Sequence, residues 1–214
     1  MNILFLGSCT DEKRFFLLSL AKVMTLHQKV VIYSTEPYGY DSEEVYDFCG
    51  IEIHHIKAQD SFITTSDDNT INFIDTDKYI PLEKVDRAVA VSEPFRKNLT
   101  ESVELAGKYL NGQSGPEFML VYLNILEYCK ANEKYLALYW RKNLNANVEF
   151  SHEYVVFFEE VNRIIMIESQ FAENFRLKDL TSSYKKLLMK LTADILNLGG
   201  KDIRKMFRKA ERMN

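Results

Sequence analysis

The chain opens on an unbroken apolar run, residues 3–6 (Ile-Leu-Phe-Leu), which Gly7 and Ser8 end. A run without polar alternation suits a strand buried on both faces, as in a parallel sheet. The period then changes. Phe15, Phe16, Leu18, Leu20, Ala21, Val23 and Met24 predict a helix over residues 12–26, apolar around most of its girth and therefore well buried. Residues 29–33 predict a second strand. Residues 34–40 read as a loop around Pro37 and Gly39. Residues 41–48 read as a short helix with an acidic start, capped by Asp41 or Ser42. Residues 51–56 alternate and predict another strand.

Further strands are expected at 71–74 (ending at Asp75), 88–91 (ending at Ser92-Glu93-Pro94), 118–123 (ending at Asn124) and 154–158. Helices are expected at 98–110, 133–143, 180–196 and from 201 to the end. Residues 60–69 and 111–116 read as loops. Strands alternating with helices imply an α/β fold: a three-layer, mostly parallel twisted sheet with helices on both faces. In such sheets ligands sit at the carboxyl ends of the strands. That singles out residues 7–13, 34–36, 75–77, 92–94 and Asn124.

Composition narrows the class. An apolar fraction of 46% over 214 residues supports a full core, and an aromatic fraction of 13% argues for order nearly throughout. The net charge of −4 argues against nucleic-acid binding by the whole surface. Cys9, Cys49 and Cys129 lie far apart and read as reduced cytosolic thiols. His54 and His55 are adjacent, so on a strand they face opposite ways and make a poor metal pair. No segment approaches the ~20 apolar residues of a membrane span. The expected location is the cytoplasm, with a peripheral contact at the inner membrane face left open.

Five strand-end segments in order carry a resemblance: Lys13 with Leu20-Ala21 seven and eight residues on, the Ser34-Thr35-Glu36-Pro37 strand end, Asp75-Thr76, the run from Asp86 to Pro94, and Asn124 after an apolar strand. In order and spacing the chain resembles the ParA/MinD family of P-loop ATPases, the deviant-Walker group that positions plasmids, division machinery, flagella and pili. The resemblance covers most of the chain and implies a P-loop NTPase-like fold over residues 1–198. It implies that Lys13, Arg14, Asp75 and Asn124 would hold a nucleotide if the site is retained. Family members dimerise over the nucleotide, which implies a homodimer, or a heterodimer with an active paralogue.

The phosphate loop departs from that pattern. A working loop brings backbone amides close to phosphates through its glycines. Here it reads Gly7-Ser8-Cys9-Thr10-Asp11-Glu12-Lys13-Arg14. Glu12 stands at the second glycine, Arg14 at the Mg²⁺-binding hydroxyl, Ser8 at the signature lysine and Ser34 at the general-base aspartate. Asp11 and Glu12 would set two carboxylates beside a triphosphate; at ~4 Å a like-charge contact costs about 1 kcal/mol in water and several times that when partly buried. The sequence therefore leads to a non-hydrolysing, regulatory or positioning factor with no catalytic residue, metal or cofactor. Its partners would be proteins of a membrane-associated bacterial machine: a secretion, pilus or conjugation apparatus. ATP with Mg²⁺ is expected only if the loop remains competent. An active but atypical ATPase or GTPase using Lys13 and Asp75 is the second reading. A plainer one also stands: Lys13 a solvated helix residue, Asp75 a loop cap, Asn124 a turn residue and Cys9 an inert thiol.

Residues 201–214 form a separate feature. Ile203, Met206, Phe207, Ala210 and Met213 make one helical stripe among basic residues that include Lys205 and Arg208. Such a helix lies on an anionic membrane, or docks its stripe on a partner or on its own domain.

Overall fold

The computed structural model describes residues 1–41, 43–57, 69–110, 117–144, 150–172 and 175–213. The expected cap Ser42 and the loops at 60–68 and 111–116 lie outside the described residues. Eight strands form one sheet: β1 (Asn2–Leu6), β2 (Lys29–Ser34), β3 (Val45–Phe48), β4 (Ile51–His55), β5 (Thr70–Thr76), β6 (Arg87–Ser92), β7 (Glu117–Ile125) and β8 (His152–Phe157). Their spatial order is β3-β4-β2-β5-β1-β6-β7-β8. All pairings are parallel except the β3–β4 hairpin.

The helices are α1 (Asp11–Met24), α2 (Arg96–Leu110), α3 (Glu133–Asn143), α4 (Glu160–Ala172), α5 (Ser182–Leu196) and α6 (Gly200–Ala210). Strand alternation sorts the core into two layers. Ile3 and Phe5 of β1 face α1, α5 and α6, while Leu4 and Leu6 face α2 and α3. The three-layer α/β expectation holds. So does the buried α1, in which every side chain from Phe15 to Met24 is buried. Among the described residues no helix is long and apolar enough to cross a membrane.

Two elements differ from the sequence expectation. Residues 45–48 are a strand, not the end of a helix. Cys49 (φ 55°) and Gly50 (φ 80°) are both left-handed and close a two-residue hairpin, whose twist suits antiparallel strands. Asp47 Oδ1 accepts from the Gly50 amide at 2.9 Å and fixes that turn. Helix α4 was not anticipated at all.

The chain leaves β1 on one side for β2 and β4, returns through β5 beside β1, then crosses to β6 on the other side. The turn after β1 therefore sits where the topology switches, which is where α/β sheets place their ligands.

Candidate functional site

The turn between β1 and α1 is short. Helix α1 already begins at Asp11, with Thr10 as its N-cap, and the Thr10 hydroxyl accepts from the Lys13 amide at 3.2 Å. The Arg14 amide donates to Thr10 O at 3.0 Å. The helix has thus taken in residues that a phosphate-binding loop would leave outside it. Gly7 is required by packing. Its φ is 130°, and a Cβ there would lie 2.1 Å from the Val91 carbonyl oxygen of β6.

Lys13 points inward. Its side chain is 1% exposed, and Nζ lies 2.7 Å from Asp75 Oδ1, whose side chain is 0% exposed. The same ammonium donates to Gly7 O at 2.7 Å and Phe5 O at 3.1 Å. All three of its protons have acceptors from the chain. Asp75 comes from β5, paired to β1 so that Phe5 lies beside it. Its other oxygen accepts from the Tyr38 hydroxyl at 3.0 Å, with Ser34 Oγ 3.4 Å away. The Cys9 thiol donates to Oδ1 at 3.7 Å. Burial first, and the Asp75 charge second, push the Cys9 thiol up to about 12. The same two causes raise the Tyr38 phenol well above its ordinary value, so both groups stay protonated donors at neutral pH.

The rest of the first turn of α1 is tied outward in three directions. Towards β2, Arg14 bonds Asp11 at 3.1 Å and lies over the Tyr38 ring, 5.5 Å from its centroid. Towards β6, the Thr10 hydroxyl donates to the Glu93 carboxylate. Glu93 is buried, and burial raises its pKa against the opposing effects of Thr10 and the Lys13 charge. Towards α4, Glu12 forms an ion pair with Arg163.

The structure thus brings together Gly7, Cys9, Thr10, Lys13 and Asp75, and places Asn124 at a pocket that Glu12 also lines. Asn124 lies within β7 at a register shift, with φ 54°, a conformation that asparagine tolerates better than most residues. It lines a small pocket with Glu12, Phe15, Asn162 and Arg163. Ser8 Oγ is buried without a hydrogen-bond partner. Tyr38 and Arg163 were not singled out from sequence. Glu93 was marked there only as part of the strand end at residues 92–94, without a role of its own. Among the described residues no group of three or more His, Cys, Asp or Glu side chains could hold a metal ion.

The C-terminal stripe is not free. Ile203, Met206, Phe207 and Ala210 are buried in the core that α1 and α5 also line, and Lys205 and Arg208 face outward. Of the alternatives that the sequence left open for residues 201–214, these four side chains take docking on the chain's own domain, while Met213 stays exposed.

No protein-family model matches the chain, and no curated protein matches it. Among solved structures, the MinD cell division protein of Aquifex aeolicus aligns with a TM-score of 0.58 at 10% identity, covering 93% of this chain and 98% of that one. The fold is MinD-like. At that identity the likeness reaches the architecture alone, and the side chains at the strand ends carry any statement about chemistry. Within this MinD-like frame, Lys13 in the first turn of α1 and Asp75 near the end of β5 bind each other.

Proposed function

We propose that this chain is a non-hydrolysing protein of MinD-like fold that acts through protein contacts, as a positioning or regulatory factor for a larger assembly. One observation carries the reading: the Lys13 ammonium is buried and saturated by Asp75, Gly7 O and Phe5 O. Phosphoryl transfer works by positioning and charge neutralisation around a Mg²⁺-bound phosphate chain. The residues here do not fit that group. The lysine is turned away, Arg14 replaces the metal-binding hydroxyl, and the carboxylates of Asp11, Glu12 and Glu93 ring the first turn of α1.

Freeing Lys13 would strip a buried carboxylate of its counter-ion, a loss of about 3–5 kcal/mol for pairs of this kind. A nucleotide would have to supply that before any net affinity appeared. The fold and the ParA/MinD resemblance favour a membrane-associated bacterial machine as the assembly served: a secretion, pilus or conjugation apparatus. The solved structure it resembles is that of a cell division protein.

Calorimetric titration of the full chain with ATP and Mg²⁺ tests the reading. No saturable heat and no phosphate release above background are expected. Binding near one to one with Mg²⁺-dependent hydrolysis would overturn it and favour an atypical ATPase.

A further inference from the structure

Six large apolar side chains remain exposed in one short stretch: Phe157, Phe158, Val161, Ile164, Ile167 and Phe171. Four of them lie on α4, which buries one face and leaves apolar side chains on the other. Its inner face carries Asn162, Met166 and Ser169, all buried. Its outer face carries Ile164, Ile167 and Phe171, and Phe171 is 84% exposed.

The outer spacing of three and four residues is that of core positions in a two-stranded coiled coil. Arg163 directly precedes the first core position and Glu168 directly follows the second, and both are exposed. In a parallel pair the flanking residue before one core position meets the partner's flanking residue five places further on. Arg163 and Glu168 stand five apart with opposite charge. A twofold axis would make that contact twice.

We propose that α4 is the contact of a homodimer, in which two copies of this chain pair their α4 helices in parallel, with each Arg163 beside the other copy's Glu168. The four side chains on α4 offer roughly 400 Å² of apolar surface. A stable interface takes about 800 Å² per partner, so this face supplies about half of one. A thirteen-residue helix would not dimerise by itself. Here the fold holds it in place: Asn162 donates to Thr181 Oγ1 at 3.0 Å and accepts from its amide at 3.0 Å, and Arg163 binds Glu12. The guanidinium has five donors and can serve both carboxylates. An anionic bilayer is disfavoured as the occupant, because Glu160 and Glu168 border the apolar line. The inference stands apart from the reading of the nucleotide loop.

Sedimentation equilibrium of the full chain from about 1 to 100 µM tests it. The unmodified chain is expected to dimerise in that range. Ile164→Glu should weaken the dimer at least tenfold while the far-UV circular dichroism stays unchanged. Glu168→Arg and Arg163→Glu should each weaken it, and the double exchange should restore it. A chain that stays monomeric throughout would overturn the proposal, as would a dimer indifferent to Ile164→Glu. A double exchange no tighter than the single changes would overturn the parallel pairing and the proposal with it. Flotation with phosphatidylglycerol vesicles that Ile164→Glu abolishes would assign the face to lipid instead.

Discussion

Two regions of this molecule treat their conspicuous side chains in opposite ways. At the strand ends, the first turn of α1 is closed by the chain itself: Lys13 on Asp75, Thr10 on Glu93, Arg14 on Asp11 and Tyr38, Glu12 on Arg163. On the outer face of α4, Ile164, Ile167 and Phe171 stand exposed to solvent. A closed polar site stabilises the fold and offers little to a ligand. An open apolar face contributes little to the fold and offers recognition. The contrast is between a strand-end site filled by the chain's own side chains and a helix face that the chain leaves uncovered.

The comparison breaks most readily at its closed end. Asp75→Ala leaves Lys13 charged in the interior, and a loss of about 3–5 kcal/mol in urea denaturation is expected. Lys13→Met with Asp75→Leu should cost less than the sum of the two single changes, because the pair is then removed together. A cost for Asp75→Ala under about 1 kcal/mol would mean that the site is open after all. Somewhat smaller, Ile203→Ala on α6 should cost about 2–3 kcal/mol, since that side chain is buried in the core. An unchanged stability would return the α6 stripe to the surface, and with it the membrane reading.

Legibility followed the clarity of the hydrophobic pattern. Strands β1, β2, β5, β6 and β7 were readable as apolar runs, and α3 was expected at residues 133–143, where it lies. Helix α6 was readable because its stripe is apolar and its opposite face charged; what covers the stripe was not. Helix α4 escaped notice because its buried face carries the polar Asn162 and Ser169 while its exposed face carries Ile164, Ile167 and Phe171, so the usual helical period is obscured. The β3–β4 hairpin was obscured by the acids at 41, 43, 44 and 47, which imitate a helix start, and its turn signal was Gly50 alone. At the site, the sequence named Lys13 and Asp75 as candidate nucleotide ligands, and the structure pairs them with each other. Their union was not legible, because it depends on β5 lying beside β1, a tertiary fact that brings residues 62 apart in sequence within 2.7 Å. Arg163 was missed for the same reason, and Glu93, marked within the strand end at 92–94, was not linked to Thr10.

A pH profile sharpens the closed side further. Burial raises the Glu93 pKa in the folded protein above its ordinary 4.5. The folded state therefore holds this proton more tightly than the unfolded chain. The stability it contributes is present below about pH 4.5 and is lost as pH rises through the folded value. Glu93→Gln keeps a neutral partner for Thr10. Its stability relative to the unmodified protein should match at low pH and rise as pH climbs from 4.5 through that raised value. A flat difference across the range would mean that Glu93 is solvated. The Cys9 thiol gives a companion test. Pushed up to about 12, it should react with iodoacetamide far more slowly at pH 8 than an unfolded-chain thiol does. A rate matching the unfolded chain would expose the loop.

The smallest expected effect is the one that defines the open side. Phe171→Ser removes the most exposed side chain on α4, at 84% exposure, so little transfer free energy is at stake within one copy. In dilute protein, below the concentration at which copies associate, its stability should stay within about 0.5 kcal/mol of the unmodified chain. At high concentration a dimer linked through α4 should add stability to the unmodified chain, because association favours the folded state by mass action. The gap between the two proteins should therefore widen with concentration. A gap of 2 kcal/mol or more that is already full in dilute solution would mean that Phe171 packs within its own chain. The outer face of α4 would then be as closed as the loop beside it, and the contrast between the two regions would be gone.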